Sequence, residues 1–251
     1  MLLPDRRESI MKVLRERHSI SVRELSKQLF ISETSIRRDL TYLENSGLLR
    51  KTYGGAVLLT GENQLLSLEA RQRTEAGAKS AIARKAVSII ADGSVIFMDS
   101  SSTVLAMAPY LDKFNTLTVI TNGAKIALAL VEHSNIQVYC TGGLLTHHIF
   151  SYSGSMACET IKGIFADIFF VSPKALDIDK GAFCASEEET AIRRAMLNNC
   201  RKTVLLCNRQ KMGRNAPFHL CCYEQIDAIV SDEEPEAKWQ ECFQKYGIAL
   251  Y

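Results

Sequence analysis

With 251 residues, 47% of them hydrophobic, and a formal net charge of +2, the chain is neither disordered nor a polycation, and it has room for about two domains. The charge is unevenly spread: residues 1–56 hold eleven Lys/Arg against seven Asp/Glu, and the rest of the chain holds nineteen against twenty-one. Basic surface therefore belongs to the first quarter. Eight cysteines, at positions 140, 158, 184, 200, 207, 221, 222 and 242, form no CxxC pair and several lie in apolar runs, which favours reduced core thiols over a disulfide framework. The opening MLLPDRRES meets charge by its fifth residue, and no apolar run approaches the roughly 18 residues needed to span a bilayer. A cytoplasmic protein without membrane contact is expected.

Asp5 to Arg17 reads as a first helix, with Ile10, Val13 and Leu14 as its apolar stripe and Arg6, Arg7, Lys12 and Arg15 on its wet face. His18-Ser19 breaks it, and Ile20 to Val22 forms a short extended piece. Ser21 caps a second helix, Val22 to Leu29, with Glu24 at capping-box distance. Phe30 and Ile31 turn into a third, opened by Ser32. Ile36, Leu40 and Leu43 recur there at helical spacing, with Arg37, Arg38 and Asp39 between them, and Gly47 is a helix stop. LLRKTY, Gly54-Gly55 and AVLL then form two extended runs around a glycine turn.

Three tightly spaced helices followed by a basic hairpin predict a winged helix-turn-helix. Helix 33–46 would enter the major groove of duplex operator DNA. Ser32, Glu33, Thr34, Ser35, Arg37 and Arg38 are its candidate contacts, since Arg pairs bidentately with guanine. Ile36, Leu40 and Leu43 face the core. On the wing, Arg50, Lys51, Thr52, Tyr53 and Gly54 would meet the phosphate backbone or minor groove, where contacts fix register and supply salt-dependent affinity.

Residues 59–76 read as a linker passing into a clear amphipathic helix, Ala78 to Ala91, ended by Asp92-Gly93. From there the chain alternates. Strands are predicted at Ser94–Met98, Leu117–Ile120, Ile136–Cys140, Asp167–Val171, Thr203–Cys207 and Ala228–Ser231, with Ile248–Tyr251 as an added edge. Helices are predicted from Thr103 to Leu111, to Glu132, over Glu188–Cys200 and over Pro235–Lys245. Short apolar strands alternating with helices imply an α/β domain, 77–251, built on a doubly wound parallel sheet behind the winged domain, 1–58.

Ligands of open α/β sheets bind at the carboxyl ends of strands. There the chain carries Asp99, Ser100, Ser101, Ser102 and Thr103; then Thr121 and Asn122; then Gly142 and Gly143; then Asn208 and Lys211. Small hydroxyl residues at a strand-to-helix junction, with a lysine nearby, suit a phosphate ester. Neither a Walker A pattern nor a GxGxxG fingerprint is present. His147-His148 is an adjacent pair on a loop, and His18, His133 and His219 lack ligand-spaced partners, so no metal or other cofactor is expected. Glu187, Glu188 and Glu189 open a helix, where acidic charge complements the helix dipole.

SETSIRRDLTYLENSGLLRKTYGGA, together with MDSSST, ITNG, TGGLL, EETAIRRAM, the lysine of NRQKMG and DAIVSD, resembles the DeoR-type bacterial transcriptional regulators along essentially the whole chain. The resemblance implies a sugar-phosphate sensor similar in fold to ribose-5-phosphate isomerase. It implies a homo-oligomer, dimer or tetramer, and repression of a carbohydrate operon relieved by a phosphorylated sugar. Against the family pattern, Tyr53 stands for a histidine in the wing, Ser172-Pro173-Lys174-Ala175 for a small glycine-containing segment, and Asn208 for an aspartate. Two other readings compete. One is an isomerase-like enzyme with an appended DNA-binding domain, for which Asp99, Glu187 and Glu188 are the carboxylates near strand ends. The other is a C-terminal domain that only oligomerises.

Overall fold

The structure, a computed structural model, describes residues 3–45, 48–58, 67–147 and 149–251. It separates into two compact units, 1–71 and 72–251. Gly47, residues 59–66 of the expected linker and His148 lie outside the described residues.

The first unit runs α1 (Leu3–Arg17), β1 (Ser19–Ser21), α2 (Val22–Leu29), α3 (Glu33–Asn45), β2 (Leu49–Thr52) and β3 (Gly55–Leu58). Ser21 closes a reciprocal capping box with Glu24 at the head of α2, satisfying two backbone donors that the helix itself cannot. Phe30 ends α2 in the left-handed conformation, φ 55°, and its side chain is 95% exposed. The Ser26 hydroxyl donates to the Ile31 carbonyl at 2.6 Å, fixing the turn into α3. Ile10, Leu14, Leu25, Ile36, Leu40 and Leu43 make the shared core; each such buried side chain contributes about 1.5–3 kcal/mol. The wing is antiparallel, in the order β1-β3-β2. Only glycine fits at Gly55, where a Cβ would lie 2.3 Å from the Ile20 carbonyl oxygen.

Arg6 and Arg7 are not on the wet face of α1. Both pair with the fully buried Asp39 of α3, Arg7 Nε at 3.3 Å, and the Arg7 guanidinium stacks 3.4 Å over the Tyr42 ring. A charge among the exposed arginines of α3 thereby becomes the bolt between two helices.

The second unit contains α4 (Leu68–Arg73, begun before the boundary), α5 (Ala76–Val87), β4 (Val95–Met98), α6 (Ser102–Leu105), β5 (Leu117–Thr121), α7 (Ala124–Leu130), β6 (Ile136–Cys140), β7 (Leu144–Thr146), β8 (Ser151–Ser153), α8 (Ser155–Lys162), β9 (Ala166–Val171), β10 (Ala175–Asp177), β11 (Gly181–Cys184), α9 (Glu187–Leu197), β12 (Cys200–Leu206), β13 (Phe218–Cys221), β14 (Ala228–Val230), α10 (Ala237–Lys245) and β15 (Ala249–Leu250). Seven strands form one parallel sheet in the order β15-β14-β12-β9-β4-β5-β6. Its middle strands, VIFM, ADIFFV and CRKTVLL, are buried along their apolar runs, as a parallel sheet covered on both faces requires.

Three differences from expectation have simple causes. The helix after β4 covers only four residues and passes into a 3₁₀ turn at Ala108–Tyr110, because Pro109 cannot continue an α-helix. The β7–β8 hairpin and the small sheet β10-β11-β13 are not predicted, since strands of three or four residues show no usable periodicity; the two-turn helix α8 between Gly154 and Gly163 is not predicted either. All eight cysteines are free thiols, but Cys140 and Cys222 are exposed and not in the core.

The chain builds outward from β4 through β5 to β6, then returns to the other side of β4 at β9 and continues to β15. The reversal lies between β4 and β9. A crevice opens at such a switch point, outside the carboxyl ends of the strands.

Candidate functional site

On the first unit, the candidate DNA contacts sit on α3 and the wing. Glu33, Thr34, Arg37, Arg38, Arg50, Thr52, Tyr53 and Gly54 are exposed, and Ser35 is half-buried. Ser32 hydrogen-bonds to Ser35 through their hydroxyls at 3.0 Å, helping to open α3. Arg37 pairs along the helix with Glu33 at 3.5 Å, an exposed contact of small energetic worth. The Arg38 side chain makes no ion pair or hydrogen bond among the described residues and is exposed. Lys51 is tied back to α3: its ammonium donates to the Thr41 hydroxyl at 2.9 Å and lies 3.6 Å from Glu44, whose other oxygen accepts the Lys51 N–H at 2.7 Å. Lys51 thus fixes the wing against the helix. Tyr53 projects fully into solvent at the wing tip.

On the second unit, the switch point brings together residues from the carboxyl ends of four strands. Asp99, after β4, is wholly buried. Its Oδ1 accepts the Ser101 N–H at 2.9 Å; its Oδ2 accepts the Ser172 N–H at 3.2 Å and lies 2.8 Å from Arg193 Nε. The carboxylate therefore sews the loop after β4 to the loop after β9. Arg193 is buried and also meets Glu189 at 3.3 Å and the Cys184 sulfur at 3.2 Å. Burial alone would favour its neutral form, but Asp99, Cys184 and Glu189 outweigh it and hold the guanidinium firmly charged.

Ser172 donates its hydroxyl to the Leu206 carbonyl at 2.5 Å and accepts the Lys211 ammonium at 2.7 Å. Lys211 makes no ion pair among the described residues. Burial pushes its pKa down to about 8, against the pull of nearby Cys207 and Asp99. The Ser100 hydroxyl donates to Ser151 at 2.9 Å, and the Asn122 amide nitrogen donates to the Ser151 hydroxyl at 3.0 Å and the Tyr152 carbonyl at 3.2 Å.

The remaining candidates divide. Ser101 caps α6 by accepting the Val104 N–H at 3.2 Å, and Ser102 and Thr103 are buried in that first turn. Thr121 is occupied at the strand junction, donating to the Met98 carbonyl and accepting the Gly123 N–H. Gly143 gives close approach to the protein's own backbone: at φ 96° its Cβ would lie 2.6 Å from the Ser153 carbonyl. Gly142, at φ 66°, turns the chain there. Sequence reasoning missed Arg193, Ser151 and the part played by Ser172. The Glu189–Arg193 spacing of four was visible in EETAIRRAM, but nothing local says which face of that helix is buried. Among the described residues no three metal-ligating side chains cluster, and no helix is long and apolar enough to cross a membrane.

Residues 6–62 match the DeoR-like helix-turn-helix domain, and residues 74–233 match the DeoR C terminal sensor domain. The HTH-type transcriptional regulator GolR of Listeria innocua is 34% identical over 98% of this chain and 97% of its own length. GlpR of Haloferax volcanii is 31% identical over 100% and 98%, and the transcriptional repressor GlcR of Bacillus subtilis 28% over 100% and 96%. A ribose 5-phosphate isomerase from Methanocaldococcus jannaschii is similar over 55% of each chain, with 15% identity and a TM-score of 0.42, too distant to bear on activity. The full-length relatives are regulators, so the enzyme reading falls. This chain belongs to the DeoR family of DNA-binding, HTH-type transcriptional regulators.

Proposed function

We propose that the protein is a cytoplasmic repressor of a carbohydrate-utilisation operon, working as a homo-oligomer (dimer or tetramer), and that a phosphorylated sugar or sugar derivative at the switch-point crevice relieves repression. The observation that carries this reading is Lys211: a cation drawn into the protein and held by the Ser172 hydroxyl, while Asp99, the carboxylate that accepts the Ser172 N–H, is committed to Arg193. A phosphate ester supplies the missing negative charge. Its binding must favour one arrangement of the DNA-binding units over another, which is what a symmetric oligomer converts into operator release.

A thermal-shift screen against sugar phosphates, with free sugars and inorganic phosphate as controls, tests the reading, because a ligand that binds only the folded state raises its melting temperature. At least one sugar phosphate is expected to do so and to release the protein from operator DNA. If none does, the C-terminal unit is an oligomerisation module and the effector reading fails.

Two further results are expected. Arg38→Ala weakens binding to a duplex selected from a random library by about 1–3 kcal/mol, because its guanidinium is exposed and uncommitted on α3. Arg37→Ala costs less, since Glu33 already holds that side chain. Fluorescence anisotropy measures both, and unchanged affinity for Arg38→Ala would remove it from the interface.

The second concerns pH. A bound phosphate restores the Lys211 charge, so above about pH 8 binding takes up a proton and affinity falls as pH rises. Titration calorimetry in two buffers of different ionisation enthalpy reads the uptake; equal heats at pH 9 would place the anion elsewhere. In the unliganded protein the sign is opposite. The folded pKa lies below the ordinary 10.5, so the unfolded chain binds the proton more tightly, and this group's contribution to stability rises with pH between about 8 and 10.5.

A further inference from the structure

Two asparagines at the carboxyl ends of sheet strands have an unanswered atom each. Asn122, after β5, and Asn208, after β12, are 1% and 7% exposed, and the Oδ1 of each is buried with no hydrogen-bond partner. The Asn122 amide cannot be turned over to satisfy it. Its nitrogen donates to the Tyr152 carbonyl, which can only accept, so the oxygen stays on the unpartnered side. Asn208 begins the 3₁₀ turn that carries Lys211 without spending its side chain on a cap; its backbone carbonyl accepts the Lys211 N–H at 3.0 Å and the Cys207 thiol at 3.6 Å, and its side-chain amide, bonded to nothing among the described residues, can present its oxygen to a donor.

A buried acceptor left without a donor is costly. These two lie at the same carboxyl end of the sheet, their strands separated by β9 and β4. That is three strand spacings, about 14 Å, and between them come Ser172 after β9, which accepts the Lys211 ammonium, and the serines after β4. Lysine and serine hydroxyls recognise an anion. Amide oxygens recognise the reverse, a hydroxyl that donates.

Resting on the reading of the crevice as an anion site, we infer that Asn122 and Asn208 are its specificity-determining residues, taking hydrogen bonds from ligand hydroxyls so that an extended polyol phosphate is accepted and bare phosphate or a hydroxyl-free phosphate ester is refused. The anion is held by Lys211, and the discrimination comes from the two amides, because a ligand without hydroxyls leaves both oxygens buried and unpaired. Asn208 is the cleaner residue to test, since its side-chain oxygen holds nothing in the protein together.

The experiment compares the full chain with Asn208→Leu by titration calorimetry. The probes are hexose 6-phosphates, pentose 5-phosphates, inorganic phosphate, and hexyl phosphate, which has the charge and length of a hexose phosphate but no hydroxyls. In the native protein the best sugar phosphate is expected to bind at least about tenfold more tightly than hexyl phosphate. Asn208→Leu should erase most of that ratio by weakening the sugar phosphate, with an unliganded melting temperature equal to or above the native one. Asn208→Ala serves the same purpose if leucine does not fit. A native ratio near one, or a ratio unchanged in the variant, overturns the inference while the anion site stands. Failure of every phosphorylated probe to bind overturns the anion-site reading, and this inference with it.

Discussion

Arg193→Met is expected to destabilise the second unit by about 3–5 kcal/mol, the usual cost of removing one partner from a buried ion pair. The reason is what it leaves behind. Asp99 is wholly buried and Glu189 nearly so, and both face Arg193 at 2.8 and 3.3 Å. Methionine fills part of the volume but neutralises neither carboxylate. For a unit of this size the loss lowers the melting temperature by on the order of 10 °C. The chain's single tryptophan, Trp239, is buried in this unit, so its fluorescence follows that unit's unfolding within the whole protein. Adding Asp99→Asn to Arg193→Met should recover part of the loss, because an amide can be buried where an unpaired carboxylate cannot. A melting temperature within a degree or two of native for Arg193→Met would mean that the Asp99 carboxylate is not held by this pair.

Asp39→Ala is expected to loosen the first unit by about 1.5–3 kcal/mol, the range for hydrogen bonds to charged groups. Asp39 is fully buried and receives both Arg6 and Arg7. The cost is smaller than at Arg193 because the arginine side chains keep 13% and 26% of their surface exposed and can turn to water once released. Hydrogen exchange of the α3 amides should accelerate while α9 is unaffected. Operator affinity should fall as well, since the exposed arginines of α3 are presented by a helix that α1 no longer pins. Unchanged exchange in α3 would show that the apolar contacts of Ile36 and Leu40 suffice without the ion pairs.

The two units differ in how much of them could be read beforehand. In the first, the Ser21–Glu24 capping box and the Ile36, Leu40 and Leu43 stripe are local patterns, and the structure places them as their spacing predicts. Arg6 and Arg7 were misplaced because a charge on a helix is normally solvated; their buried partner lies 33 and 32 residues away. In the second unit the sheet strands were legible as short apolar runs, and so were the hydroxyl-rich segments that follow them. The hairpin carrying Ser151 and the helix face carrying Arg193 were not, because a three-residue strand has no period and helical spacing does not say which stripe is covered.

By itself the amino-acid sequence determined the local pieces: capped helices, a basic hairpin, apolar strands and the small polar residues after them. These depend on neighbours within one turn or one strand. Tertiary structure alone decided that the chain reverses between β4 and β9, and therefore that Asp99, Ser172, Lys211 and Arg193 meet in one cluster. Strand order is set by packing between segments some 70 or more residues apart, as between Asp99 and Ser172, and no short window of sequence records it.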